Sequence, residues 1–241
     1  MPTSPDPAAD FRPGEINHPD VAFKELLKRS AAILRAHGFK GSGQNYTRDC
    51  GEVWQVVNFQ KSMWSVQRDH LLSFYINLSA YLPFDPARPA SEDDDGTKPW
   101  YHIPKASKLR ASYGDVRFRS GELHPDDRDG FDLGDDNFDA VWRALEHRWY
   151  KVFVPVLDAI RTRNDLVRLT HLQPWMVDRN CRAKLGDEAP PRWESNEERA
   201  KRLQSEFYEY LQSRGARYGE DDPVTPPPPR LPPPPYRTSM Y

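Results

Sequence analysis

The sequence predicts an α+β domain in which an antiparallel sheet of three to five strands packs against helices, with a C-terminal helix and a disordered proline-rich tail. Three observations predict this architecture. Residues 71–82 alternate between apolar and polar side chains, as in a strand with one buried face. Residues 20–37 and 136–160 instead repeat their apolar side chains at helical spacing. Residues 223–236 hold nine prolines, and such a composition cannot form a packed core.

Composition sets the domain boundaries and excludes several classes of protein. We expect a flexible segment at residues 1–19, one domain at 20–215 and the tail at 216–241. The chain has 34 Lys and Arg against 36 Asp and Glu, so it lacks the basic excess of duplex-binding proteins and we expect no nucleic-acid partner. No export signal or apolar run of about 20 residues is present. We therefore expect a cytoplasmic protein with no membrane segment and with unpaired thiols at Cys50 and Cys181.

The first half of the domain reads as one helix followed by strands. Asp20 is the expected N-cap of the first helix, and Gly38 is expected to end it in a left-handed conformation. Strands are predicted at residues 45–49, 53–61, 71–82 and 116–123. Segments without regular structure are predicted at residues 41–43, 83–108, 126–136 and 172–193. The longest of these loops, residues 83–108, is either mobile or functional.

The second half reads as helices. A long helix is predicted to begin near Asp136, and Pro155 should kink it or divide it into two abutting helices. A short helix is expected at residues 165–170. Ser195 and Glu198 have the spacing of a capping box, which would open a last helix that ends at Gly215. The order of these elements therefore places the sheet before most of the helices.

Several short strings in this order resemble a known family. They are His37-Gly-Phe39, Val56-Val-Asn-Phe-Gln-Lys-Ser62, Phe74-Tyr-Ile-Asn-Leu78, Val154-Pro-Val-Leu-Asp158 and Asp165-Leu-Val-Arg168. The sequence over about residues 20–170 resembles a bacterial family catalogued as a domain of unknown function, number 4304. That family has no established activity. Some members look like neighbours or components of bacterial toxin–immunity loci, so the resemblance implies a binding role.

The polar face of the sheet is the candidate binding surface. If the strands at 53–61 and 71–82 pair as a hairpin, one face carries six amide and aromatic side chains. These are Trp54, Asn58, Gln60, Tyr75, Asn77 and Tyr81. Amides and aromatic rings supply donors, acceptors and flat apolar area together, as in many recognition surfaces. The alternative is that the later helices cover this face and satisfy its amides inside the domain.

Patterns for catalysis and cofactors fail on particular residues. The histidines lack metal-ligand spacing, and Pro125 occupies the first ligand position of a calcium loop aligned on Gly130. Phosphate-loop and serine-elbow patterns are also absent from the sequence. We therefore predict no catalytic residue, metal or cofactor. Two pairs remain open for an enzyme, namely Cys50 with His70 and Glu52 with Lys61.

The tail carries one further candidate. Pro233, Pro234 and Tyr236 match a proline-rich ligand that docks into aromatic grooves, but the composition of the tail favours a spacer or low-complexity extension. The sequence thus favours a non-enzymatic module that binds a protein partner, in a toxin-neutralising, immunity-like role. The alternative is a small nuclease or hydrolase whose site is not legible in the sequence.

Overall fold

The computed structural model describes residues 18–62, 70–82, 115–123, 130–174, 177, 179–192 and 196–217. Its strands are β1 (Lys40–Ser42), β2 (Asn45–Asp49), β3 (Trp54–Lys61), β4 (Leu71–Tyr81), β5 (Val116–Arg119) and β6 (Phe131–Gly134). Its helices are α1 (Pro19–Ala36), α2 (Phe138–Arg148), α3 (Val154–Ala159), α4 (Arg163–Leu172), α5 (Arg179–Leu185) and α6 (Glu197–Ser213). The predictions for residues 1–17, 83–108 and 218–241 lie outside the described residues.

The strands form one antiparallel sheet. Strands β1 to β4 pair in chain order, and β4 then pairs with β5 through Asn77–Ala80 and with β6 through Leu71–Phe74. Since β5 and β6 lie end to end beside β4, the six strands occupy five positions across the sheet. The predicted α+β fold, with an antiparallel sheet packed against helices, is confirmed.

Aromatic side chains join one face of the sheet to the helices. The ring of Phe74 on β4 lies 5.2 Å from that of Phe23 on α1, and the ring of Phe118 on β5 lies 5.5 Å from that of Phe207 on α6. The predicted alternation of β4 is confirmed, because Leu72, Phe74, Ile76, Leu78 and Ala80 are all buried on this face. The core thus lies between this face and the helices, and the polar face points away from Phe74.

The predicted break at Pro155 is confirmed, and it takes the form of a π-helical turn. Helix α2 ends at Arg148, residues Trp149–Phe153 form the turn, and α3 begins at Val154 with Pro155 in its first positions. The amide of Val154 donates to the carbonyl of Trp149, five residues back. Proline is tolerated here because the first turn of a helix needs no donor at that position.

The predicted starts of two helices were each wrong by one or two residues. Asp20 is not the N-cap of α1: Nδ1 of His18 accepts the hydrogen bond from the Asp20 amide, and Pro19 is the first helical residue. Helix α6 is capped by Asn196, whose Oδ1 lies 2.8 Å from the amide of Arg199. Asn and Ser cap helices about equally well, so the choice between neighbours cannot be made from residue type. Both predicted glycine ends, at residues 38 and 215, are confirmed by positive φ angles of 82° and 107°.

Three segments predicted as irregular contain regular structure. Residues 40–42 form the exposed edge strand β1, residues 131–134 form β6, and residues 179–185 form α5. Each is three to seven residues long, which is too short for periodicity to be recognised. In α5 the buried side chains identified are Cys181 and Leu185, a single helical repeat.

A polar cluster joins the sheet to α3; it consists of the buried Arg48 and Gln55 and the half-buried Asp158. The Nε of Arg48 donates to Oε1 of Gln55 over 2.8 Å, and its Nη1 lies 2.9 Å from Oδ1 of Asp158. Nη1 also donates to the carbonyl of His37 after α1, and the guanidinium lies 4.6 Å from the ring centre of Phe39. This Arg48 cluster therefore links α1, two strands and α3 through one side chain.

The Arg48 cluster should make the stability depend on pH. Burial alone would raise the pKa of Asp158, but the hydrogen bonds and charges of Arg161 and Arg48 outweigh it and hold the pKa below its usual value. The unfolded chain therefore binds a proton before the folded protein does. We expect this contribution to be present above about pH 4 and lost as the pH falls through the folded-state pKa.

Urea unfolding of the wild type and Asp158→Asn across this range measures the contribution. The stability difference between the two proteins should shrink as the pH falls, because the carboxylate loses its charge while the amide does not change. A difference that stays constant down to acid unfolding would contradict the assignment.

Candidate functional site

The polar face of the sheet brings four amides and one tyrosine together. Strands β3 and β4 pair with Asn58 opposite Asn77 and Gln60 opposite Tyr75, and β2 places Asn45 opposite Asn58. Side chains of directly paired residues lie on the same face of a sheet. We call Asn45, Asn58, Gln60, Tyr75 and Asn77 the amide face. Asn45 and Gln60 are exposed, and the other three are half-buried.

Hydrogen bonds connect the four amides into one chain. The Nδ2 of Asn77 donates to Oε1 of Gln60 over 3.0 Å and to Oδ1 of Asn58 over 3.1 Å. The Nδ2 of Asn58 in turn donates to Oδ1 of Asn45 over 2.8 Å. Each amide restricts the rotamer of the next, so the chain holds a fixed orientation before any partner arrives.

Three polar groups of these hydrogen-bonded amides remain unused. Within the described residues, none of the three forms a hydrogen bond. They are the Nε2 donor of Gln60, the Oδ1 acceptor of Asn77 and the Nδ2 donor of Asn45. The set contains one acceptor and two donors, and a peptide backbone presents both carbonyls and amides to such groups. The amide face can therefore hydrogen-bond a polypeptide.

The ring of Tyr75 provides a flat apolar surface beside the amides. The guanidinium of Arg119 on β5 lies 5.2 Å from the ring centre of Tyr75, within the range of a cation–π interaction. Asn77 pairs directly with Arg119 in the sheet, so this stacked pair adjoins the amide chain. The contact restrains the tyrosine ring beside the amides and adds apolar area to the same surface.

Two of the predicted binding residues lie at a covered end of this face. Tyr81, opposite Trp54, is 3% exposed, and Trp54 is half-buried. Val56 and Ser79, the next pair along, are also buried, at 0% and 2%. The alternative of a covered face thus applies to this end, and Tyr81 is not accessible to a partner. The accessible group comprises Asn58, Gln60, Tyr75 and Asn77, with Asn45 in addition.

Asn45 was missed from the sequence because the register of β2 against β3 was not predicted. The strand itself was predicted at residues 45–49 and is confirmed. A usable signal was present in β2 itself, where the apolar Tyr46 is buried and Asn45, one position before it, points to the opposite face.

The two residue pairs considered for catalysis do not lie close together in the fold. Glu52 precedes β3 and accepts a hydrogen bond of 2.9 Å from the amide of Arg163, whereas Lys61 ends β3 and pairs with Asp20. Strand β3, which has eight residues and ends at Lys61, spans about 26 Å and separates the two side chains. Cys50 lies in the β2–β3 turn, beside the end of β4. His70 lies at the other end of β4, with its Nδ1 2.9 Å from Asp135.

Metal ligands, membrane spans and the tail motif can be compared with the described residues only. Within the described ranges, no three His, Cys, Asp or Glu side chains cluster as metal ligands. No helix in the same ranges is both long and apolar enough for a membrane span. Pro233, Pro234 and Tyr236 of the tail motif lie outside the described residues.

Comparison with known proteins places this fold in a family. Residues 30–159 match the model of the domain of unknown function DUF4304. The match covers more than half of the chain, from the second half of α1 to the end of α3, and includes the whole amide face. No curated protein matches the chain, and no solved structure matches it. The resemblance seen in the sequence is confirmed, and the chain belongs to the DUF4304 family.

Proposed function

We propose that the protein is a non-enzymatic, cytoplasmic protein-binding module and that the amide face contacts its partner. The observation that carries the proposal is the hydrogen-bonded chain Asn45–Asn58–Asn77–Gln60, which orients unused donors and an unused acceptor on an accessible sheet face. Because these groups are held in place before binding, little side-chain entropy is lost when a partner docks.

The same arrangement supports selectivity. A partner that covers the face must hydrogen-bond to Gln60 and Asn77, because a polar group left buried without a partner costs about 1–3 kcal/mol. Tyr75 adds an apolar anchor of a type that is enriched among the residues that dominate binding energy. A surface of this kind rejects partners whose backbone or side chains present the wrong groups.

The toxin-neutralising role is the more specific part of the proposal, because it states which kind of partner the module binds. Its support is the resemblance to a family with some members near bacterial toxin–immunity loci. An inhibitor of this kind needs a rigid recognition surface and no chemistry of its own. The rival reading, a nuclease or hydrolase, draws no support from Glu52 with Lys61 or Cys50 with His70, because each pair is separated by the length of a strand.

The proposal is tested by identifying a partner and then removing two amides. The partner is captured from the native host with the full chain, and its Kd is measured for the wild type and for Gln60→Ala/Asn77→Ala. We expect the Kd to rise at least about tenfold, because the double change removes a donor and an acceptor from the interface. Gln204→Ala/Gln212→Ala, on the exposed side of α6, is the matched control and should bind as the wild type does.

Equal binding by both double variants would contradict a role for the amide face. Failure to capture any specific partner would count against the binding function as a whole. Expressing the captured partner in the host tests the neutralising role separately: growth should stop with the partner alone and resume with the full chain. A partner that does not affect growth would overturn the toxin-neutralising part only.

A further inference from the structure

A second polar surface lies on the helices. Five exposed cationic side chains come from three segments that are distant in sequence, namely the π-helical turn before α3, the loop and helix of α4, and the end of α6. They are Lys151, Arg161, Arg168, Arg214 and Arg217. We call this group the arginine surface. Most of it lies outside residues 30–159, so the family match does not cover it.

Contacts between α4 and α6 bring these side chains together. Asp165 of α4 lies at the centre, with Oδ1 3.3 Å from Nη2 of Arg214 and Oδ2 3.2 Å from the amide of Arg161. The guanidinium of Arg168, one turn further along, lies 4.9 Å from the ring centre of Tyr210. After α6 the backbone reaches the π-helical turn, where the amide of Arg217 donates to the carbonyl of Lys151 over 2.7 Å.

The surface carries more positive charge than its own carboxylates neutralise. Asp158 pairs with Arg48 and Arg161, and Asp165 pairs with Arg214 while it caps α4 through Thr162. Across the described ranges, Lys151, Arg168 and Arg217 form no ion pair with a carboxylate. The chain as a whole has a formal net charge of −2, so this excess is local.

We propose that the acidic run Glu220-Asp221-Asp222 of the same chain binds the arginine surface. The run begins three residues after Arg217, which itself belongs to the surface. Three to five residues reach at most about 10–18 Å, enough to carry the three carboxylates from Arg217 towards Arg214 and Arg168. A segment tethered this closely has an effective concentration of the order of millimolar or higher, which compensates for weak individual ion pairs.

The chemistry of the surface suits carboxylates. Four of its five cations are arginines, whose planar guanidinium can donate two parallel hydrogen bonds to one carboxylate. Any other anionic ligand would first have to displace the acidic run. The inference does not depend on the amide face, which lies on the sheet and uses different residues.

Arginine side-chain NMR on the full-length protein tests the contact. We compare the Nε–Hε signals of Arg168 and Arg214 in the wild type and in Glu220→Gln/Asp221→Asn/Asp222→Asn. We expect these signals to shift in the triple variant and to shift likewise when wild-type protein moves from about 0.01 M to about 1 M salt, where charges are screened within about 3 Å. Glu197→Gln/Glu198→Gln/Glu206→Gln removes three carboxylates from α6 and should leave both signals unchanged.

Binding of labelled hexaglutamate provides a second readout. The peptide should bind the tail-neutralised variant at least about fivefold more tightly than the wild type, because the competing carboxylates are gone. Adding Arg168→Gln/Arg214→Gln to that variant should abolish the gain. Unchanged arginine signals in the tail variant, equal shifts in both triple variants, or equal peptide affinity with and without the acidic run would each overturn the proposal.

Discussion

Replacing Gln55 with Ala is expected to destabilise the protein by about 3 kcal/mol, although the residue is a single polar side chain in the sheet. Gln55 is fully buried, and its Nε2 lies 2.6 Å from the carbonyls of Leu157 and Ile160, at the end of α3. Its Oε1 accepts the Nε of Arg48. The substitution would remove the hydrogen bond to the Ile160 carbonyl and the acceptor of Arg48 Nε, whereas the Leu157 carbonyl would still accept the amide of Ile160.

The cost should be at the upper end of the range for a lost hydrogen-bonding group. Nη2 of Arg48 is already buried without a partner within the described part of the chain, so without Gln55 only Nη1 of the guanidinium would keep its hydrogen-bond partners. Gln60→Ala is the matched control, because Gln60 lies on the same strand but is exposed, and its effect should stay within about 0.5 kcal/mol. Urea unfolding gives both values, and a similar small loss for the two variants would show that the Arg48 cluster does not stabilise the fold.

The alternation of apolar and polar residues along the strands made it possible to predict the two faces of the sheet. Because β4 alternates over eleven residues, its two faces were separable from the sequence, and pairing with β3 then placed Asn58 and Gln60 beside Tyr75 and Asn77. The inward position of Gln55 follows from the same alternation, since Val57 and Phe59 lie on that face. What alternation could not supply was the partner of Gln55, which lies about one hundred residues away on α3.

Burial of one end of the polar face could not be predicted from the sequence, for a related reason. Tyr75 and Tyr81 occupy equivalent positions in the pattern of β4, yet Tyr75 is half-buried and Tyr81 is 3% exposed. Burial of a sheet face depends on what packs over it, and this is a property of tertiary structure that strand periodicity does not contain. The arginine surface is a similar case, because α4 and the end of α6 meet only in the folded protein.

The second large effect is expected at the ion pair that attaches α5 to the sheet. Both carboxylate oxygens of Asp115 lie 2.9 Å from Nζ of Lys184, and Oδ2 also accepts the amide of Leu82 over 2.7 Å. The Asp115 side chain is 3% exposed and that of Lys184 16%. Lys184→Met should cost about 3–5 kcal/mol, because it removes the positive charge that lies against this buried carboxylate.

A double-mutant cycle separates the ion pair from simple loss of packing. In Asp115→Asn/Lys184→Met both charges of this pair are removed, and the amide oxygen can still accept the hydrogen bond from Leu82. We therefore expect the double variant to be at least about 1 kcal/mol more stable than Lys184→Met alone, since most of the single-variant cost arises from the uncompensated charge. Lys201→Met, at an exposed pair on α6, should change stability by less than about 1 kcal/mol. Additive losses across the cycle would mean that α5 is held by its apolar contacts through Cys181 and Leu185 rather than by this pair.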